Sequence, residues 1–387
     1  MLIPIKYNLR YLANRWPGTL MTALTFALVV ATFVIVMSLA RGIERALTKT
    51  GEPLNVLILR PGVQSEGQSS VGIERYQTIR NLPGIATDET GAPLVAPESL
   101  VLVNRPKAPD GRPSNLQIRG VHPVAFKLRP AVRIVEGRTF RPGLREAIVG
   151  KSVAHRFLRT DMGDTPQLGR GKWTIVGVFE AEGSAYDSEL WADTQEVMED
   201  FDRDSYSTVV LRAKDKAAVE SIQKIVDEDP RIKMTAKTEE QYYREQTQTA
   251  RPLKAFGVFL AIIMSVGACF AGMNTMYASV ANRVREIATL RVLGFQPVAI
   301  LISFQIESIA LALIGGAMGC VLSLPINGLA TGTTNFETFS EIVFYFTITP
   351  DLMARGLIFA AAMGAAGGFL PAFSAARAPI LQSLRQA

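Results

Sequence analysis

The sequence is poor in the residues from which enzyme sites are built. Among 387 residues there are two cysteines, Cys269 and Cys320, and two histidines, His122 and His155. Both cysteines fall in apolar blocks, so the long polar stretch between the first two blocks has no disulfide staple and no cysteine metal site. Neither histidine has a ligand partner at metal spacing, and no nucleophile–histidine–acid set can be picked out. A phosphate loop is missing too. Gly150-Lys151-Ser152 matches the end of the G-x-x-x-x-G-K-[ST] pattern, but Arg145 stands where the first glycine belongs and Gly143 is two places early. No ATPase and no bound cofactor are therefore expected of this chain itself.

Charge is the other scarcity, and it is local. None occurs in Trp16–Ala40, Ala255–Asn282, Ser308–Phe336 or Gly356–Ala376. A helix needs about 20 apolar residues to cross a hydrocarbon core of about 30 Å, so these windows predict four membrane spans, at 17–40, 255–280, 298–325 and 352–376. The first run is too long for the apolar region of a signal peptide, which favours an uncleaved anchor although Ser38-Leu39-Ala40 resembles a cleavage site. The net charge of +6 does not point to nucleic acid, because residues 41–254 carry 32 basic against 30 acidic side chains. The excess sits in short pieces. Lys6, Arg10 and Arg15 lie in 1–16, three arginines oppose Glu286 in 281–295, and Arg377 and Arg385 lie in the tail 377–387. The positive-inside rule makes these pieces and both termini cytoplasmic, leaving 41–254 and the loop 326–351 outside. Residues 1–16 read either as an amphipathic helix on the inner membrane face or as a basic flank of the first span.

Between the first two spans the pattern alternates. Strands are predicted at Leu54–Arg60, Leu94–Val103, Leu116–Val121, Lys172–Phe179, Ser207–Arg212 and Ile232–Thr235. Helices are predicted at Ile73–Leu82, Lys151–Leu158, Asp215–Val226 and Thr238–Arg251, with Gly62–Gly72 a mobile loop. The fold class is thus a membrane protein of four transmembrane α-helices with a large α+β extracytoplasmic domain inserted between helices 1 and 2, on helical stalks.

Few side chains stand out as candidates. Ala281–Phe295 is a short cationic helix between two spans, closed by Gly294 as a C-cap. Glu307 is an acid inside a span, which is a functional-site signal by default; a polar tie between helices or protomers and a proton relay are both open, with Gln305 and Ser308 as neighbours. Gly315/Gly319 and Gly364/Gly368 have the spacing that permits close helix contact, within the chain or across a dimer. The acidic run Glu199–Asp204 reads as a solvated surface or a cation site.

These motifs carry a resemblance. Arg283-x-Arg285-Glu286-Ile287-x-x-Leu290-Arg291-x-Leu293-Gly294, then Glu307-Ser308 with Gly315, Gly316 and Gly319, is similar to the permease signature of MacB/FtsX-type ABC transporters (the type VII superfamily). Pro371-Ala372 through Arg377, Pro379 and Leu384-Arg385 resembles that family's ending, and 136–154 with 174–179 resembles its MacB-like periplasmic core domain. Val292 departs from the family's usual alanine. The resemblance implies a bacterial inner-membrane permease subunit, not an enzyme, working as a homodimer or heterodimer with a cytoplasmic ABC ATPase that supplies ATP and Mg. It also implies contact with membrane lipid and a periplasmic adaptor. Only 16 residues precede the first span, so the ATPase is expected as a separate polypeptide. Arg283, Arg285, Glu286, Ile287, Leu290, Arg291 and Gly294 become the expected ATPase-coupling residues. The implied work is export or extrusion of a lipid, lipoprotein, peptide or drug-like substrate. The alternatives are regulation of an external enzyme, lipoprotein release, or a membrane-anchored scaffold.

Overall fold

The computed structural model describes residues 16–108, 110–247, 250–334 and 340–377. The amphipathic segment before Trp16 and the tail beyond Arg377 lie outside the described residues. The chain divides into two compact units, one of Met1–Arg41, Pro252–Leu329 and Phe346–Ala387, the other of Gly42–Arg251 and Ala330–Tyr345.

The first unit is helical. Its long elements are α1 (Trp16–Thr48) up to Arg41, α7 (Ala250–Asn282) from Pro252, α9 (Pro297–Ser323) and α10 (Pro350–Ala376). All four are long and apolar enough to cross a membrane. Even 27 residues of helix extend about 40 Å. Proline at N1 starts both α9 and α10, and Thr349 caps α10 by accepting the Leu352 amide at 3.3 Å. The glycines expected to allow close contact do so within this chain. A methyl group on Gly315 would come within 2.7 Å of Phe26 Cβ, and one on Gly319 within 3.0 Å of Val30 Cβ, so both seat α9 on α1. Gly364 faces Ala312 and Gly368 faces Ser308, which seats α10 on α9. All four are buried, so the dimer reading of these glycine faces gives way to intrachain packing.

The second unit is built on a nine-stranded mixed sheet ordered β11-β1-β10-β2-β3-β9-β5-β8-β4. In chain order its strands are β1 (Asn55–Leu59), β2 (Val95–Pro106), β3 (Pro113–Val121), β4 (Arg133–Gly137), β5 (Glu146–Gly150), β8 (Thr174–Glu180), β9 (Glu189–Asp193), β10 (Thr208–Arg212) and β11 (Thr235–Thr238). The minor strands β6 (Gln167–Leu168) and β7 (Gly171–Lys172) pair with each other. Its helices are α2 (Ile73–Ile79), α3 (Ala125–Leu128), α4 (Thr194–Asp200), α5 (Lys216–Glu228) and α6 (Glu239–Gln246). Among the described residues only β3–β9 and β5–β8 pair parallel. One apolar core gathers Val56, Ile58, Val209 and Leu211 with Ile222 and Val226 of α5. A second gathers Leu116, Ile118, Val149, Trp173 and Leu190.

Four expectations give way here. Residues 151–158 form turns rather than a helix, because His155 takes φ 63° and Arg159 φ 60°, outside the helical region. The last strand is Thr235–Thr238, not 232–235. The segment 62–72 is held in place by a 3-10 turn at Glu66–Gln68 and by buried Ser65, Glu66 and Ser69. The loop 326–351 contains a hairpin, β12 (Ala330–Thr334) with β13 (Glu341–Tyr345). In the acidic run, Asp200 pairs with Arg145 at 2.8 Å and Asp202 pairs with Arg170, and no cluster fit for a metal exists among the described residues.

Side chains alternate across a strand. Leu116 and Ile118 of β3 enter the second core, so Gln117 and Arg119 point to the opposite face, as does Glu189 beside Leu190. That face is not solvated. Arg119, Arg129, Glu66, Glu98, Glu189 and Glu239 are all buried there, beneath Tyr242 and Tyr243 of α6. Arg119 donates to Glu66, Glu98 and Glu189, each at 2.7 Å; Arg129 binds Glu98 and, at 3.0 Å, Glu239. Burial pushes the Glu66 carboxyl above its usual 4.5 despite Arg119. Burial would raise Glu98 too, but Arg129 and Arg119 outweigh it and hold that group low. Folded Glu66 thus keeps its proton more readily than the unfolded chain does. Its contribution to stability is complete below pH 4.5 and is lost as pH rises through the folded value. Glu66→Gln fixes the neutral form. Unfolding of the full chain, followed by the fluorescence of buried Trp173 and Trp191, should show a shallower loss of stability as pH rises above 4.5 in E66Q than in the wild type. Parallel curves would clear Glu66 of the effect.

Candidate functional site

The charged segment between α7 and α9 folds as α8 (Val284–Val292). Arg283 breaks the helical path ahead of it at φ −115° and ψ 15°, which separates α8 from α7. At the far end the Phe295 amide bonds the Leu290 carbonyl at 3.0 Å and the Gly294 amide bonds the Arg291 carbonyl at 3.2 Å. Gly294 sits at φ 92°. This is a Schellman motif, and the glycine is required because its left-handed backbone penalises any Cβ. Pro297 then opens α9 three residues later.

The inner face of α8 is committed to the bundle. Ile287 and Ala288 are buried, and Ile287 joins Met276, Val280, Ile300, Phe304, Ala372 and Ala375 in one apolar cluster. Ile300 and Phe304 lie in the first turns of α9, so α8 lies along the bundle rather than hanging free of it. Glu307 is the tenth residue beyond Pro297, about 15 Å along α9. Its carboxylate accepts Arg283 Nη1 at 2.8 Å and Ser279 Oγ at 3.3 Å. Arg283 Nε also donates to Glu286 at 3.1 Å, and its guanidinium lies 5.2 Å from the centre of the Phe304 ring. The Arg283 and Glu307 side chains are 6% and 1% exposed. One ion pair therefore fixes the junction of α7 and α8 to the middle of α9.

This geometry redistributes the residues picked out from the sequence. Arg283 and Ile287 face this chain's own interior, so they are not open contacts for a partner. Glu307 is the polar tie between helices, but Gln305 and Ser308 take no share in it; they bond the carbonyls of Ala365 and Gly364 on α10 at 2.7 and 2.8 Å. Arg285, Glu286 and Gly294 are exposed, while Leu290 and Arg291 are half-buried. Two residues join the exposed surface that sequence reasoning gave no role, Val292 at 65% and Leu293 at 70% exposure. Val292 is the one departure from the family pattern, and that departure carried no role in the sequence reading. Ser279 lies one helical turn before Arg283, but nothing in the sequence selects it from the other hydroxyls of α7.

Two family profiles match this chain. The MacB-like periplasmic core domain covers residues 19–228 and the FtsX-like permease C-terminal region covers 258–380. The macrolide export ATP-binding/permease protein MacB of Pasteurella multocida is 25% identical over 95% of this chain and 58% of its own length. That of Bdellovibrio bacteriovorus is 22% identical over 92% of this chain and 57% of its own. This chain thus spans little more than half of those relatives. An uncharacterized ABC transporter permease of Methanocaldococcus jannaschii is 24% identical over 65% of each chain.

Removing one member of a buried ion pair costs about 3–5 kcal/mol, because the other is left uncompensated. Arg283→Met and Glu307→Leu should each destabilise the purified chain by about that much, and the double variant by clearly less than the sum. Denaturation of all four proteins gives the coupling energy, expected at about 2 kcal/mol. Additive losses would mean that the two side chains do not hold each other.

Proposed function

This chain belongs to the MacB/FtsX-type family of ABC-transporter permeases, and from that premise we propose that it couples an ATPase in the cytoplasm to movement of its sheet-rich unit on the other side of the membrane. The observation that carries this reading is α8. It is stopped at both ends, anchored inward by Ile287 and by the Arg283–Glu307 pair, and open outward through Arg285, Thr289, Val292 and Leu293. A short helix with a fixed inner face and a mixed apolar and charged outer face is suited to transmit a push without deforming. An exposed apolar pair next to charge is also what a protein partner covers at the centre of an interface.

In this reading α8 and the other arginine-bearing short segments lie on the cytoplasmic side, which four candidate spans and the positive-inside rule support. The sheet-rich unit is then extracytoplasmic, reached through α1 and through α6 followed by α7 in the chain. The ATPase binds ATP and Mg, and its dimerisation on nucleotide pushes a pair of permeases through α8. The work delivered is export or extrusion of a lipid, lipoprotein, peptide or drug-like substrate, as the relatives' name, macrolide export, illustrates for them. A periplasmic adaptor completes the path outward. Glu307 is in this reading a structural tie and not a proton carrier, since its carboxylate is already held by Arg283 and Ser279.

The test is made on the outer face alone. Leu293→Asp combined with Arg285→Glu alters two exposed positions, so the melting temperature of the permease should stay where it is. Recovery of the co-expressed ATPase with the purified permease should fall at least about tenfold, as expected from a lost interface hot spot. Undiminished recovery with normal ATP turnover would remove α8 from the interface.

A further inference from the structure

The hairpin β12–β13 joins the ends of α9 and α10 in the chain, yet it is part of the sheet-rich unit. β13 lies against β3 and against the 3-10 turn Ala185–Ser188. The Val343 amide donates to Ser188 Oγ at 2.9 Å, and Ile342, Val343 and Phe344 are buried. At the start of the strand, Glu341 is 5% exposed. Lys107 Nζ reaches its carboxylate at 2.6 Å and Arg156 Nη2 at 2.5 Å, and the Ser114 hydroxyl donates to it as well. Lys107 and Ser114 belong to the β2–β3 hairpin and Arg156 to the turn after β5. These two segments are themselves joined, since the Ala108 amide donates to the Arg156 carbonyl at 2.8 Å.

Closing a chain between two spans requires only a polar turn. It does not require a buried carboxylate under two cations, whose desolvation is recovered only while both partners stay in place. Such a grip fixes position and lets go as a whole. Beside it, Ser340, Glu341 and Ile342 line a cavity of about 20 Å³ together with Glu66, Tyr242 and Gln246. That is room for about one water. The hairpin and the segment leading to α7 thus border one small void, so the packing between them is incomplete and one can shift against the other.

We propose that the hairpin β12–β13 is a third tether of the sheet-rich unit, through which α9 and α10 act on it directly, and that Glu341 is the positioning residue that grips it. The proposal rests on the ATP-driven reading of α8. It adds a path that bypasses α6: α8 to α9 through Arg283–Glu307, α9 to the hairpin along the chain, and the hairpin to the β2–β3 end of the sheet through Glu341.

Hydrogen exchange on the full-length permease in complex with its co-purified ATPase tests this, with and without ATP and vanadate. In the wild type, nucleotide should change exchange in α8, α6 and residues 341–345 together with 105–116. In Glu341→Gln, which keeps the shape and removes the charge, the response of α8 and α6 should persist. The response at 105–116 should disappear, and the amides of 341–345 should exchange at least about tenfold faster. Lys107→Met should reproduce the E341Q pattern, which guards against a folding defect peculiar to the first variant. A wild-type complex responding in α8 and α6 but not at 341–345 would overturn the tether while leaving the role of α8 standing, as would an E341Q complex that keeps its response at 105–116. Silence in α8 and α6 would overturn both.

Discussion

A guanidinium buried among apolar helices has to be answered by a carboxylate, and the pair Arg283–Glu307 is what the helical unit is arranged around. The charge cannot leave without stranding its partner, so the end of α7, the start of α8 and the middle of α9 are held as one piece. Phe304 of the adjoining apolar cluster lies against the Arg283 guanidinium, and both charged side chains are buried. The Schellman turn at Gly294 then returns the chain to α9 without slack. From this single constraint follow the rigid backing of α8 and the outward turn of Arg285, Val292 and Leu293, the surface on which the proposed coupling rests.

The sheet-rich unit applies the same physics twice more. Glu239 opens α6, and its carboxylate accepts Arg129 Nε at 3.0 Å and Tyr186 Oη at 2.7 Å. It also accepts Asn55 Nδ2 at 2.9 Å and the Glu52 amide at 3.1 Å. The chain that leaves α1 and the chain that leads to α7 are thereby tied to one buried side chain. Glu341 does the corresponding work for the hairpin between α9 and α10.

The architecture was legible because its signals are long. Charge-free runs of more than 20 residues predict α1, α7, α9 and α10, and alternating patterns predict β1, β2, β3 and β10. What failed depends on partners distant in sequence. The apolar–polar alternation in Leu116-Gln117-Ile118-Arg119 is that of a strand with one solvated face; only α6, more than a hundred residues later, turns that face into a buried ionic layer. Residues 151–158 have helical composition, but left-handed His155 interrupts the helix and left-handed Arg159 follows it. The candidate site was half legible. Its location and its glycine cap were in the motif, whereas the inward turn of Arg283 follows from Glu307 lying about 15 Å along α9, a distance no motif records. The hairpin at 330–345 was hidden because its value lies in Lys107 and Arg156, far upstream.

The account turns on whether α8 carries the state of the ATPase to the sheet-rich unit. Pulsed-EPR distances between a label at exposed Thr289 of α8 and one at exposed Val135 of β4 measure this directly, in the assembled complex with Cys269 and Cys320 replaced. The account predicts a distribution that shifts between the nucleotide-free and the ATP–vanadate states, and that stays in its nucleotide-free form when the Arg285→Glu and Leu293→Asp substitutions are present. A distribution identical in both states, in a complex that still hydrolyses ATP, would contradict it.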